Sequence, residues 1–334
     1  MKNKFTKFLV IGSNSFSGSN FINYTLSKSS KIIGISRSRE YNKIMLPYKF
    51  NKNIDKFNFF QLNINKHFDK ILTLIDDFKP EVIVNFSAQG EVRNSWKFPE
   101  QWYITNCLSV VRLTNAIVKK KFIKKYISIS TPEVYGNIKK NLVENNYYYP
   151  STPYAASKLA GDLHLMTLYK KYNFPVIFSR SANVYGPSQQ LYRIIPRTIV
   201  YLKKGKKIKL HGKGMTNRSF IHVTDVVNAI SQLIKKGKIG DIYHIAPRTK
   251  EISIYSLVNL ICNIMGYDFK SSVKLISENY GQDLSYILNS NKIRNVVNWS
   301  EEISLEDGIK ETIKWINSHW NIIKKMSHEY VHKL

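Results

Sequence analysis

Short apolar runs alternate with longer amphipathic stretches along the first half of the chain. The apolar runs predict buried strands at residues 7–11, 31–35, 57–64, 82–86, 126–130 and 174–179. Apolar residues at helical spacing predict helices that end near residue 27 and that cover 67–78, about 101–120 and about 152–172. Alternating strands and helices are typical of an α/β fold with a doubly wound parallel sheet. The pattern therefore predicts one such domain over residues 1–185.

After residue 185 the pattern is looser. It predicts helices at 194–203, 253–265 and 305–318 and a strand at 240–246. We expect residues 186–334 to form a smaller C-terminal lobe that binds substrate, with some of its strands and helices returning to the first domain. Such a lobe would cover the crevice at the carboxyl ends of the strands, where α/β sheets bind their ligands.

The loop after the first predicted strand carries Gly12, Ser15 and Gly18 at a regular spacing and leads into a helix. In a Rossmann sheet, glycines at such positions let the backbone approach a dinucleotide pyrophosphate at the helix N-terminus. The spacing is weak evidence alone, but the strand before it and the helix after it support it. At the end of the second strand, Ser36 and Arg37 stand where an NAD-binding fold usually has Asp or Glu. Because Arg suits a 2′-phosphate, we favour NADP over NAD as the cofactor.

A tyrosine and a lysine lie four residues apart in the helix predicted from about residue 152. Tyr154 and Lys158 would share one face of that helix, and a lysine ammonium beside a phenol is expected to favour the phenolate. Pairs with this spacing are common on helix surfaces, so the pair needs further support. Thr131 at a strand end, with Glu133 two residues later, provides it. In an extended chain Glu133 would point to the same side as Thr131, toward a substrate in the crevice.

Composition limits the classes of function. The formal net charge is +28 over 334 residues, and the basic residues are mostly lysines spread along the whole chain. A nucleic-acid footprint concentrates its charge on one face, so we expect no nucleic-acid partner. The two cysteines, Cys107 and Cys262, form no disulfide or metal-ligand pattern, so we expect no metal site and a cytoplasmic location. Because no apolar stretch approaches the ~20 residues of a membrane span, we expect no membrane partner.

Four motifs together resemble the extended short-chain dehydrogenase/reductase family, and within it the nucleotide-sugar 4,6-dehydratases that act on dTDP-glucose or GDP-mannose. They are STPEVYG at 130–136, YAASK at 154–158, SANVYGP at 181–187 and RSFIHVTDV at 218–226. Longer stretches look like dehydratase members that are found with lipopolysaccharide O-antigen genes. The resemblance implies NAD or NADP as cofactor, a nucleotide-diphosphate sugar as substrate and a 4-keto-6-deoxy sugar as product. It also implies a homodimer that forms through the helices near 101–120 and 152–172.

The resemblance implies roles for particular residues. Tyr154 and Lys158 would form the redox pair, Thr131 would hold the 4-hydroxyl of the sugar, and Glu133 would be the base at C5. The residues predicted to bind substrate are Gln89, Thr131, Asn183, Arg193, Arg218 and Asp283. The residues predicted to bind the cofactor are Gly12, Ser15, Phe16, Gly18, Ser36, Arg37, Asn63, Ile64, Ser87, Ala88, Asn106, Tyr154 and Lys158.

One departure from the family pattern keeps other activities open. Many of these dehydratases have Asp between the Thr and the Glu, where it protonates the departing 6-hydroxyl, but this chain has Pro132, which donates no proton. A sugar-nucleotide 4-epimerase and a uronate decarboxylase are therefore alternatives, and a non-catalytic dinucleotide-binding protein is a more distant one. Glu133 favours dehydration, because an epimerase has no use for a general base at that position.

Overall fold

The computed structural model describes residues 5–28, 30–249, 251–277 and 286–333. The described strands, in chain order, are β1 Lys7–Ile11, β2 Lys31–Ser36, β3 Phe57–Gln61, β4 Val82–Asn85, β5 Lys125–Ile129, β6 Ile138–Leu142, β7 Val176–Ser181, β8 Asn183–Tyr185, β9 Ile208–His211, β10 Asn217–Arg218, β11 Phe220–His222, β12 Ile242–Ile245, β13 Ile252–Ser253, β14 Val273–Ile276 and β15 Tyr286–Leu288.

The described helices, in chain order, are α1 Phe16–Leu26, α2 Phe68–Phe78, α3 Val92–Ser95, α4 Pro99–Tyr103, α5 Ser109–Ile117, α6 Pro153–Tyr172, α7 Ile194–Lys203, α8 Val223–Lys236, α9 Ile254–Met265, α10 Phe269–Ser272, α11 Asn291–Val297, α12 Leu305–Ser318 and α13 Trp320–Ile323. None of these is long and apolar enough to cross a membrane.

A parallel sheet of seven strands forms the centre of the molecule, in the order β12-β7-β5-β4-β1-β2-β3. Its inner strands are buried on both faces, which explains why they read as continuous apolar runs. The strand order reverses between β1 and β4, so a crevice opens there at the carboxyl ends of the strands. The prediction of a doubly wound α/β fold is confirmed.

Helices cover both faces of this sheet. The cluster on one face includes apolar residues of α1, α8 and α11, and the cluster on the other includes residues of α2, α5 and α6. Both α8 and the edge strand β12 come from the second half of the chain and complete the first domain. Helix α8 was not predicted from the sequence, although its apolar positions recur at helical spacing and nine of its residues are buried.

A third apolar cluster forms the core of the smaller lobe. Its residues come mainly from α7, α9, α12 and α13, and Ile44 and Met45 join them from the first half of the chain. Short two-stranded pairings, β8 with β11, β9 with β14 and β10 with β13, link the loops of this lobe. The boundary at residue 185 stays a prediction, and Tyr185 is itself part of the third cluster.

The predicted helix at 101–120 is interrupted. The segment Ile104–Leu108 forms a π-helical turn between α4 and α5. Such turns place one extra residue in a helix and are frequent at functional sites. Here the turn positions Asn106, whose side chain is buried.

Candidate functional site

The loop after β1 leaves no room for a side chain at its first glycine. Gly12 has a φ of +81°, and a Cβ there would lie 2.8 Å from the backbone of Phe86 and Ser87. A Cβ on Gly18 would lie 2.4 Å from the carbonyl oxygen of Gly12. Both positions therefore require glycine, because any side chain would push the loop, α1 and the end of β4 apart.

Ser15 takes the place of a middle glycine and serves as the N-cap of α1. Its Oγ accepts a hydrogen bond from the backbone N–H of Gly18 at 3.0 Å, and Phe16 is the first residue of the helix. The first turn of α1 contains no acidic residue, so its N–H groups and positive dipole end would attract an anion. The close backbone approach and this helix end together fit a dinucleotide pyrophosphate.

The end of β2 has hydroxyl and guanidinium groups. Ser36 Oγ accepts a hydrogen bond from the backbone N–H of Asn14 at 3.0 Å. Arg37 donates from Nη1 to the carbonyl oxygen of Lys333 at 3.1 Å and from Nη2 to Oε1 of Gln89 at 3.4 Å. Burial lowers the pKa of Arg37, and the nearby Tyr41 partly offsets that effect.

Other predicted cofactor residues lie at the ends of β3 and β4. Asn63 accepts from the N–H of Asn65 at 2.8 Å, while Ile64 packs into the core. Ser87 donates to Oδ1 of Asn85 at 2.6 Å, and Ala88 is exposed beside it.

The amide of Asn106 is engaged inside the protein. Its Oδ1 accepts from the N–H of Gln89 at 2.9 Å, and its Nδ2 donates to the carbonyl oxygen of Gln89 at 3.1 Å and to Oγ of Ser157 at 3.0 Å. The arrangement fixes the loop after β4 against α6, which indicates that Asn106 positions the cofactor loop.

Glu133 reaches the cleft through a turn, not through extended chain. Thr131 is extended, but Pro132–Tyr135 form a 3-10 turn in which the N–H of Glu133 donates to Oγ1 of Thr131 at 3.3 Å. The prediction that Glu133 points to the same side as Thr131 assumed an extended chain through Pro132, and that assumption is wrong. The turn nevertheless leaves both Thr131 and Glu133 on the wall of the cleft, together with Tyr154.

Tyr154 and Lys158 lie one turn apart on α6, whose N-cap Thr152 accepts from the N–H of Ala155 at 3.1 Å. Burial and the negative charge of Glu133 raise the pKa of Tyr154, and a hydrogen bond with Thr131 and the charge of Arg193 lower it by less. The expectation that Lys158 would favour the phenolate is not met. Lys158 donates to the carbonyl oxygen of Ile129 at 2.8 Å, and burial lowers the pKa of its own ammonium group.

The site opens into a cleft of about 1020 Å³ between the sheet and the smaller lobe. Its wall brings together Thr131, Glu133 and Tyr154 with three predicted substrate residues, Asn183, Arg193 and Arg218. Gln89, another predicted substrate residue, is not among the described residues that line the cleft. Its side chain bonds Arg37 and Lys333 instead. Asp283 lies outside the described residues.

Arg197 also lines the cleft, and the sequence analysis missed it. It follows Arg193 by one turn of α7, so the i,i+4 spacing of two arginines was the available evidence. Its Nε is buried and has no hydrogen-bond partner among the described residues. A buried donor of this kind is costly unless a ligand satisfies it.

A buried polar network lies behind the catalytic helix. Asp162, one turn after Lys158, forms a salt bridge of 3.1 Å with Arg180 and accepts from the hydroxyls of Ser128 and Ser130. The guanidinium of Arg180 lies 4.7 Å from the ring centroid of Tyr135. In this network, Asp162 raises the pKa of Lys158 while Arg180 lowers it.

The described residues include no candidate metal-binding site. No group of three or more His, Cys, Asp or Glu residues there could hold a metal ion.

Comparison with known proteins agrees with this geometry. The family model described as GDP-mannose 4,6 dehydratase matches residues 9–312. The dTDP-D-glucose 4,6-dehydratase of Homo sapiens is 31% identical over 283 residues, which cover 82% of this chain and 79% of that protein.

Solved structures show the same fold. The dTDP-glucose 4,6-dehydratase of Bacillus anthracis, solved in complex with NAD, is 30% identical and has a TM-score of 0.85, covering 95% of this chain and 98% of that one. A dTDP-glucose 4,6-dehydratase of Streptomyces venezuelae, also with NAD bound, is 26% identical with a TM-score of 0.86, and the coverage is again 95% and 98%. The chain therefore belongs to the GDP-mannose 4,6-dehydratase family, within the extended short-chain dehydrogenases/reductases, and is a sugar-nucleotide 4,6-dehydratase.

Proposed function

We propose that the chain converts a nucleotide-diphosphate hexose to its 4-keto-6-deoxy derivative, for the synthesis of surface-polysaccharide sugars, with Glu133 as the base. The observation that carries this proposal is the shared position of Thr131, Glu133 and Tyr154 on one wall of the cleft. An acid/base phenol and a separate carboxylate are the two groups that oxidation at C4 and proton removal at C5 require.

The cofactor proposed is NADP, held by the Gly12 loop, the N-terminus of α1 and Arg37. The relatives of known structure carry NAD, so the preference rests on this chain's own β2 end. The nearest carboxylate in sequence, Glu40, is engaged by Tyr48 at 2.9 Å and by Lys49 at 2.7 Å. When bound, the nicotinamide would supply the hydride-transfer chemistry that oxidation at C4 and reduction at C6 require.

The residues of the chain handle the protons. Tyr154 removes the proton of the 4-hydroxyl. Burial and the charge of Glu133 raise the pKa of its phenol, and the Thr131 hydroxyl and the charge of Arg193 assist because they partly offset that rise. Lys158 orients the helix end through its bond to the Ile129 carbonyl. Once C4 is a ketone, the C5 proton is acidic and Glu133 takes it.

Water then leaves from C6 without the acid that an Asp between Thr131 and Glu133 would supply. Pro132 lines the cleft at that position and has no proton to donate. We therefore assign the proton for the departing hydroxyl to Glu133 itself, which has just received one from C5, or to a water bound beside it. Under this assignment one carboxyl group serves first as base and then as acid.

Substrate binding is assigned to the polar groups on the lobe side of the cleft. The arginines Arg193, Arg197 and Arg218 suit a diphosphate, because a guanidinium offers a planar fork of donors. Asn183 also lines the cleft, and its amide suits a sugar hydroxyl.

The variant E133Q tests the proposal. We expect keto-sugar formation to fall by about 10²–10⁴-fold, the usual contribution of a general base, while dinucleotide binding is retained. The measurement is incubation with a panel of nucleotide sugars, followed by mass spectrometry for the loss of one water and by absorbance of the keto sugar in alkali.

A matched control is E306Q, whose side chain lies on the exposed side of α12 and pairs with Lys310 at the surface. It should keep wild-type turnover. Full dehydration by E133Q would remove Glu133 from the mechanism, and a product that is a 4-epimer without loss of water would replace dehydration by epimerisation.

A homodimer and a cytoplasmic location complete the proposal. The turn after α4 and the outer face of α6 expose large apolar side chains, with Ile104 42%, Leu108 49% and Leu163 45% exposed. A second copy would cover this patch, and sedimentation would then report twice the mass of the chain. Cys107 and Cys262 are both free thiols, which fits a reducing compartment.

A further inference from the structure

Residues 327–333, which we name the strap, cross the cleft without regular secondary structure. The strap leaves the lobe after α13 and ends beside the carboxyl ends of β2 and β4. Glu329 and Tyr330 line the cleft on the way, and the ring of Tyr330 lies 5.3 Å from that of Tyr192 on the lobe. The strap therefore bridges the lobe and the dinucleotide domain.

Aromatic stacking anchors the far end of the strap. The His332 ring stacks on Phe98 with centroids 5.2 Å apart and on Trp102 with centroids 5.5 Å apart, within 9° and 5° of parallel. Its Nε2 also shares a hydrogen bond of 2.6 Å with Oε1 of Gln101. Two stacked rings and a short polar contact define the position of the next residue, Lys333.

Lys333 contacts the predicted 2′-phosphate position through both its backbone and its side chain. Its carbonyl oxygen accepts from Arg37 at 3.1 Å and from Nε2 of Gln89 at 2.9 Å. These bonds fix the plane of the Arg37 guanidinium, which has five N–H groups in all. The ammonium of Lys333 lies 3.5 Å from Oγ of Ser38 and 3.4 Å from the hydroxyl of Tyr41.

The strap thus brings a second cation to the end of β2. Arg37 and Lys333 share Tyr41 as a neighbour, and within the described ranges neither forms a salt bridge with an Asp or Glu side chain. Burial already disfavours the charge on Arg37. An anion held between the Arg37 guanidinium and the Lys333 ammonium would stabilise both charges.

The position of Arg37 and Lys333 at the end of β2 indicates which anion would bind between them. The end of the second strand is where a Rossmann domain contacts the adenosine ribose of its dinucleotide. We propose that the strap is a specificity element in which Lys333 joins Arg37 to bind the 2′-phosphate of NADP. The inference rests on the proposed cofactor and adds a residue nearly 300 positions away from Arg37 in the sequence.

The test compares two ligands that differ only by the phosphate in question, adenosine 2′,5′-bisphosphate and adenosine 5′-monophosphate. We expect the wild-type chain to bind the bisphosphate more tightly in isothermal titration calorimetry, by an advantage that shrinks at high salt. The variant K333M should reduce that advantage by about 10-fold, with monophosphate affinity changed by less than about 2-fold.

Two further variants complete the design. K325M changes an exposed lysine before the strap and should retain the wild-type advantage. H332A removes the stacking anchor but changes neither Arg37 nor Lys333. It should also reduce the advantage of the bisphosphate, because Lys333 is no longer held in position.

Three outcomes would overturn the inference. They are a wild-type chain without preference for the bisphosphate, a K333M variant with an unchanged advantage, and an equal loss of affinity for both ligands. The keto-sugar assay is independent of all three. A chain that discriminates the phosphate through Lys333 but dehydrates no nucleotide sugar would refute the proposed reaction and leave the strap assignment standing.

Discussion

Arg180 and Arg197 carry the same side chain in opposite surroundings. Arg180 is fully buried, pairs with Asp162 at 3.1 Å and lies beside the rings of Tyr135 and Tyr148, 4.7 and 5.0 Å from their centroids. Arg197 lines the open cleft, and within the described ranges it forms no salt bridge.

The difference shows how the fold separates stability from ligand binding. Behind α6, a carboxylate and aromatic faces compensate the buried cation, so the network fixes the helix that carries Tyr154 and Lys158. On the lobe side, Arg197 faces the open cleft and pairs with no carboxylate among the described residues, which is the arrangement expected of a group that binds an anionic substrate.

Removing the carboxylate in D162N should produce the largest effect. The variant leaves the buried charge of Arg180 uncompensated, and we expect the free energy of unfolding to fall by about 3–5 kcal/mol. Urea denaturation measures this loss. Replacing both partners by apolar residues, as in D162L/R180M, should recover part of it, because the penalty arises from the unpaired charge.

The matched control for this prediction is D76N. Asp76 pairs with Lys120 on the surface, where its side chain is 51% exposed, so the loss should stay below about 1 kcal/mol. A D162N variant no less stable than D76N would mean that the buried network contributes little.

Acid should weaken the buried region at a second point, His244. This fully buried ring bonds the hydroxyl of Tyr135 at 2.9 Å, and burial lowers its pKa to about 3. Between that value and the unfolded pKa of roughly 6.5, the unfolded chain binds more protons, so stability falls as the pH falls. At pH 5 the expected cost is about 2 kcal/mol relative to pH 7.

Thermal or urea unfolding at pH 7 and pH 5 measures this dependence. The variant H244Q removes the titrating ring and should flatten the slope, although His222, whose pKa burial lowers to about 4, still contributes. H211Q, at an exposed position on β9, should keep the wild-type slope. An H244Q slope equal to that of the wild type would assign the acid sensitivity elsewhere.

Replacing Arg197, the arginine that lines the cleft, should have a smaller effect and should change substrate binding alone. R197Q should raise the KM for the nucleotide sugar about 10-fold, near 1.4 kcal/mol, with kcat and unfolding free energy little changed. Steady-state kinetics measure both constants. R248Q, at an exposed position outside the cleft, is the matched control, and an R197Q enzyme with wild-type KM would show that Arg197 does not contact substrate.

Local features of the site were predictable from short stretches of sequence. The Gly12 loop, the cap at Thr152 and the placement of Tyr154 and Lys158 one turn apart each depend on residues within a few positions of one another. The two helices Ile194–Lys203 and Leu305–Ser318 were predicted near these bounds, because their apolar spacing is regular. The turn at Pro132–Tyr135 was missed, since Pro132 starts a 3-10 turn as readily as it stands in extended chain.

The sequence by itself determined the parallel sheet, the glycine loop that follows β1 and the helix that carries the phenol and the ammonium. Periodicity and fixed spacing are properties of neighbouring residues, so they can be read from the sequence without knowledge of the rest of the fold. Only the tertiary structure decided that Tyr154 is buried beside Glu133, that Asp162 pairs with Arg180 and that Arg37 bonds the carbonyl of Lys333. Burial and ion pairing depend on which distant segments pack together, and that packing sets the pKa values and free donors on which the chemistry depends.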